Sequence, residues 1–320
     1  MGTWRASLLD ALAATLARPA WWSLALAGFL VRGGILLVLL PIVTLPTPAA
    51  LATALSPAVS SLAFGGLTPA LILVIVMAAV LALAVVAAVC LAGAWLDREL
   101  LREAAGDDDL ALDWTPGHAS LRDAVALRLA AHLPTLAAAG YATVRLIGAG
   151  YDELLSPGDV AVPLALRIAG RAPDAIAVVL AAWLAGEALG GLAARRAAAG
   201  AAFGEALRRS ARQLLSRRGL ATLVVTTAVL TLALAPFLLA VERAWEHVRD
   251  VLLGGADVGF VASALLVLVA SWILGLAILG AALAWRSAAW TAQIAPGSAS
   301  PQQATVTRPP RPASKASRWG

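Results

Sequence analysis

The residues with the most chemical capacity sit close together: Asp107, Asp108, Asp109, Asp113 and His118, with His132 following one predicted helix later. Magnesium is satisfied by one or two carboxylates plus water and substrate phosphate, so this set has the donors for phosphoryl chemistry on a lipid headgroup. Its spacing matches no recognised metal-ligand motif, and an acidic run opened by Gly106 reads as a solvated turn. The sequence also lacks a Walker phosphate loop, a His-Glu-x-x-His helix and a Gly-x-Ser-x-Gly elbow. These residues predict no catalytic group, no metal and no cofactor.

Two further charges stand out by their surroundings. "GFLVRGGILLV" places Arg32 in an apolar run, and "AAWLAGEALGGLA" does the same for Glu187. An arginine at the centre of a membrane span costs about 2.5–3.5 kcal/mol on insertion scales, so such residues face the bundle interior and find partners. The expectation is an Arg32–Glu187 ion pair, serving either as a structural tie or as part of a polar pathway for an anionic solute or headgroup. Ala182, Gly186, Gly190 and Ala194 recur every four residues and form a helix-packing stripe. Gly33 and Gly34 thin the first span beside Arg32. Together they predict close packing of the first and fourth spans.

Such residues need a membrane to position them. Of 320 residues, 61% are hydrophobic and 13% charged, against roughly 45–50% and 25% in soluble domains. Apolar runs long enough to cross a ~30 Å hydrocarbon core lie near 21–45, 70–95, 175–194, 219–241 and 260–285, with a more interrupted one near 125–149. The first run carries Arg32 and exceeds a signal-peptide core, so it reads as a retained helix. The lone cysteine, Cys90, lies in a span and reads as a packing residue.

Six spans give an all-α membrane domain over 1–295, both termini cytoplasmic, followed by a basic, disordered cytoplasmic tail over 296–320. With that orientation only Arg145, Arg167, Arg171, Arg243 and Arg249 fall outside, while Arg32 alone stays in the membrane. Trp21, Trp22, Trp95, Trp285 and Trp290 cluster at the inner boundary. The uncharged connection from Pro46 to Pro69 suggests segments lying on the outer interface, and "ERAWEHVRD" reads as a solvated helical extension in which Arg243 faces Glu246.

A repeat underlies the six spans. "ASLLDALAATLA" (6–17) matches "ASLRDAVALRLA" (119–130), and "AAFGEALRRSAR" (201–212) keeps the same frame. Each copy precedes a transmembrane hairpin, giving three related units. In "FGEALRRSARQLLSRRG" the apolar positions Phe203, Leu207, Ala211 and Leu214 oppose Arg208, Arg209, Arg212, Arg217 and Arg218. That pattern predicts an amphipathic helix at the inner interface, its arginines contacting anionic headgroups. The positive-inside rule already accounts for these charges, so no nucleic-acid partner is expected.

An F-G-E-A-L-R helix leading into a span, repeated across six helices, resembles the membrane domain of some glycerophosphodiester phosphodiesterases and related uncharacterised bacterial membrane proteins. The resemblance covers most of residues 5–290 and rests on Phe203, Glu205, Ala206, Leu207 and Arg208. It implies a six-helix module of the cell membrane and does not bring the phosphodiesterase activity with it. The function expected is a non-enzymatic module organising a partner protein, a second copy of itself or lipid. Two alternatives follow: a permease component for a small anionic or amphipathic solute, and a headgroup enzyme using the Asp107–Asp109 cluster.

Overall fold

The computed structural model describes residues 2–42, 53, 68–105, 120–156, 158, 162, 164–255 and 257–294. The Asp107–Asp109 cluster with Asp113 and His118, nearly all of the Pro46–Pro69 connection, and the tail from 296 lie outside them. Among the described residues the chain is helical, with no strand. The order is α1 (Gly2–Ala17), α2 (Pro19–Phe29), a π turn (Leu30–Gly34), α3 (Ile35–Leu39), α4 (Pro69–Ala105), α5 (Leu121–Ala131) and α6 (Leu133–Leu155). It continues with α7 (Leu164–Arg171), α8 (Pro173–Ala198), α9 (Phe203–Leu214), α10 (Arg217–Leu253) and α11 (Val258–Ala292).

The helix boundaries follow local chemistry. Pro19, Pro134 and Pro173 each sit in the first two positions of a helix, where a missing N–H costs nothing, and Arg18 and Ala172, just before Pro19 and Pro173, lie outside the helical region. Ser120, Ser216 and Asp257 cap α5, α10 and α11 by accepting backbone N–H groups of the first turn. Pro134 thereby corrects one expectation. The third predicted span, 125–149, is broken at His132, so its first residues belong to α5 and the long helix is α6.

Four segments are long and apolar enough to cross a membrane: Pro19–Leu39, Pro173–Ala198, Arg217–Leu253 and Val258–Ala292. This is a helical transmembrane protein. α4, with 37 residues, covers the second predicted run as one unbroken helix.

Burial is arranged for lipid rather than water. Leu232, Leu266 and Ile147 point outward, while the seams are lined by Ala264, Gly275, Gly280, Ala284, Thr222 and Thr226. Hydrocarbon gives leucine no reason to hide, so helices associate through close packing of small residues. Gly275 admits the Phe237 ring, and a Cβ at Gly280 would stand 2.9 Å from the carbonyl oxygen of Trp22.

Two groups of helices result. α1, α2, α10 and α11 share one core around Trp21, Ala284 and Trp285, and α5, α8 and α9 share another around Leu127, Ala193 and Ala206. α4 packs on both α2 and α5 and so joins the groups.

The short helices lie against this bundle. α1 turns Leu8, Ala11 and Thr15 onto α11 and leaves Leu9 and Leu16 outward. Three indole N–H groups fasten it: Trp285 donates to Leu8 O at 3.0 Å, Trp22 to Thr15 O at 2.8 Å, and Trp4 to Thr222 Oγ1 at 3.0 Å. α9 buries Ala206 and Ser210 against α8, with Leu207 of the apolar row partly buried beside Ala206. Phe203 is exposed, because a helix resting on small residues of its neighbour is drawn in by its own small face.

Candidate functional site

Arg32 occupies a break in the first span. Its backbone is at φ −79°, ψ 20°, and Gly33 follows at φ 99°, a left-handed conformation that side-chain-bearing residues rarely adopt. Gly33 therefore makes the turn possible and, contrary to the expected packing role, has nothing within 4 Å of where a Cβ would stand. Gly34 likewise makes room inside its own segment, for the Phe29 ring, and not for the fourth span.

The turn aims the guanidinium back along α2. A Cβ at Gly28 would lie 3.4 Å from Arg32 Nη1, and one at Gly93 on α4 would lie 3.2 Å from Arg32 Cγ. Two glycines thus clear a channel for this side chain, which carries its charge about one turn toward the helix start, as long cationic side chains do.

There it meets acids from two helices. Arg32 Nη1 is 3.0 Å from Asp97 Oδ1 on α4, and Arg32 Nε is 3.5 Å from Glu187 Oε2 on α8. Arg128 of α5 joins the same two carboxylates, donating to Asp97 Oδ2 and, at 3.4 Å, to Glu187. His132 at the α5–α6 break places Nε2 3.4 Å from Glu187 Oε1, while Nδ1 donates to the Arg128 carbonyl at 2.9 Å. Four helical elements are tied by one alternating ring of charges. All of these side chains are at least three-quarters buried, Arg128 being 8% exposed.

The small-residue stripe of α8 serves this ring, but not through the first span. A Cβ at Gly186 would come within 3.1 Å of the Ala131 carbonyl and the His132 ring, and one at Gly190 would touch Arg128 Cγ at 3.5 Å. The expected packing of spans one and four is corrected accordingly: the stripe meets α5, and α2 packs on α4 and α11. Long polar side chains, not backbone proximity, join the first span to α8.

Beside the ring lies a cavity of about 90 Å³ at the meeting of α2, α4, α5, α8, α10 and α11. Four arginines line it, Arg32, Arg128, Arg195 and Arg286, against two carboxylates, Asp97 and Glu187. Arg195 has no acid partner: it donates to Thr291 Oγ1 at 2.9 Å, Gly191 O at 2.8 Å, Ser287 O at 3.2 Å and Ser287 Oγ at 2.5 Å. Arg286 makes no hydrogen bond or ion pair among the described residues, and Trp290, also a lining residue, keeps its indole N–H buried away from the cavity surface.

Asp97, Arg195 and Arg286 do not stand out in the sequence, since each lies at a span end where charge is ordinary. Arg128 had a signal: in the frame relating 6–17, 119–130 and 201–212 it falls where Thr15 and Ser210 stand, and all three are buried.

The five arginines assigned to lipid contact, Arg208, Arg209, Arg212, Arg217 and Arg218, are exposed on and just after α9. α9 is held to the same bundle end as the charge ring by Arg196 of α8, which donates to Gln213 Oε1 at 2.5 Å. At the opposite end Glu153, 2% exposed, receives the Gly158 N–H at 2.7 Å and pairs with Arg167 and Arg171, each at 2.7 Å. The Gly158 N–H, followed by the two arginines, holds its carboxyl below the usual carboxylate range.

No protein-family model, curated protein or solved structure matches this chain.

Proposed function

We propose that this chain is a non-enzymatic, six-span module of the cell membrane, both termini cytoplasmic, that organises anionic lipid or a partner protein at its cytoplasmic face. The observation that carries the reading is the exposed arginine row of α9, docked through Ala206 and Ser210 on the bundle end that also holds the charge ring. A cation at an anionic leaflet contributes about 1 kcal/mol, so five of them bias the local lipid population without any single strong site.

The test is lipid retention. Protein purified from a membrane containing phosphatidylglycerol and phosphatidylethanolamine is expected to keep the anionic lipid in excess by native mass spectrometry. Replacing Arg208, Arg209 and Arg212 by Gln should remove that excess; identical lipid ratios in variant and parent would refute the reading.

A second reading, a permease component for a small anionic solute, is favoured by one observation. The first span is broken at Arg32–Gly33 beside a polar cavity, as discontinuous helices are at the solute sites of transporters. Anion uptake by proteoliposomes that is lost in Gly33→Ala, with the fold retained, would select this reading over the first.

A further inference from the structure

We propose that the cavity between α2, α8 and α11 binds a phosphate-class anion, with Arg286 as its principal charge partner and Arg195 beside it. The inference deepens the lipid-facing reading by naming a discrete site, and it does not depend on the α9 surface.

The charge distribution points to it. Asp97 and Glu187 are each shared by Arg32 and Arg128, so both acids are spent on the ring. Among the described residues Arg195 and Arg286, also on the lining, form no ion pair. Four arginines against two carboxylates leave an excess of positive charge within a membrane bundle, which is costly, and an anion between the helices offsets that cost.

Donor supply points the same way. Arg286 makes no hydrogen bond or ion pair among the described residues, so its guanidinium N–H groups are left for an acceptor in the cavity it lines. A water needs about 10–15 Å³ of such space, so about 90 Å³ accepts several waters or one phosphate-sized group. Arginine's planar fork suits that geometry, and Phe29, Leu230 and Leu283 complete the lining on its apolar side.

The chemistry is common to a phospholipid headgroup and to free phosphate, and one experiment separates them. The full chain is placed in nanodiscs of phosphatidylcholine alone, or of phosphatidylcholine with phosphatidic acid, and each is melted with and without inorganic phosphate. Stabilisation by phosphate in phosphatidylcholine discs marks a free-anion site; stabilisation by phosphatidic acid alone marks a headgroup site. In either case the apparent affinity should fall about tenfold or more in Arg286→Gln. Arg286 makes no hydrogen bond or ion pair among the described residues, so in the absence of anion its variant should melt no lower than the parent. The triple α9 variant should retain the effect, which keeps failure of the surface reading distinct from failure of this one. No stabilisation by either anion, or equal stabilisation in parent and Arg286→Gln, would overturn the proposal.

Discussion

Arg32 and Glu187 lie far apart in sequence, and Arg32 Nε stands 3.5 Å from Glu187 Oε2 because a kink turns the arginine back toward the start of its own helix. The kink, the two clearing glycines and the ion pair are therefore one construction, and its parts make separable predictions.

Glu187 has two cationic neighbours, Arg32 and Arg128, with the His132 ring beside it, and Arg32 has two acids. Removing one side of a buried pair leaves the other charge uncompensated, at a cost of about 3–5 kcal/mol. Glu187→Gln is expected to lower the thermal midpoint in detergent more than Arg32→Leu does, since Arg128 can still hold both acids after the second change. Equal losses would show that the ring is not shared as the distances imply.

Gly33 carries the left-handed backbone at φ 99°. Gly33→Ala should cost about 1–2 kcal/mol through strain alone. Gly28→Ala retains ordinary helical geometry and acts instead by crowding Arg32 Nη1 at 3.4 Å. The two are distinguished by combining each with Arg32→Leu: the Gly28→Ala penalty should shrink, and the Gly33→Ala penalty should not.

Trp285 gives its N–H to Leu8 O at 3.0 Å in a fully packed seam. Trp285→Phe should cost about 1–3 kcal/mol by orphaning that carbonyl and should expose residues 2–17 to limited proteolysis before the rest of the chain. Unchanged protease resistance would mean that α1 is held by packing alone.

Glu153 has a carboxyl pKa held below its ordinary value of about 4.3, by the Gly158 N–H and then by Arg171 and Arg167. A depressed folded pKa contributes stability that is present above the unfolded value and lost as pH falls through the folded one. The melting midpoint should drop on acidification below about pH 4.3, and Glu153→Gln should flatten that part of the profile while lowering the midpoint at neutral pH.

What the sequence revealed follows from what lipid forces on a chain. Apolar runs must be helical because no water satisfies a free backbone group in hydrocarbon, so the long helices α8, α10 and α11 were legible directly. Arg32 and Glu187 were legible because a charge in such a run is rare. Asp97 was not, because at a span end a charge has water as an ordinary alternative and periodicity cannot say which one turns inward, and Arg128 was legible only through the repeat frame that aligns it with Thr15 and Ser210. On α9 the pattern marked Phe203, Leu207, Ala211 and Leu214 as the apolar side, and it gave no sign that the neighbouring helix takes Ala206 and Ser210 for closeness. The break at His132 could have been placed from Pro134, whose ring restricts the residue before it.

The three indole ties on α1 connect residues 2–17 to α2, α10 and α11, the last being the final long helix of the described chain. During synthesis α1 thus finds two of its three anchors only after more than two hundred further residues have been inserted, at Thr222 and Trp285. Until then its inward face of Leu8, Ala11 and Thr15 has no permanent neighbour on α11. Maturation of this bundle is in that sense circular, with a segment made before α10 and α11 serving as the latch that closes over them.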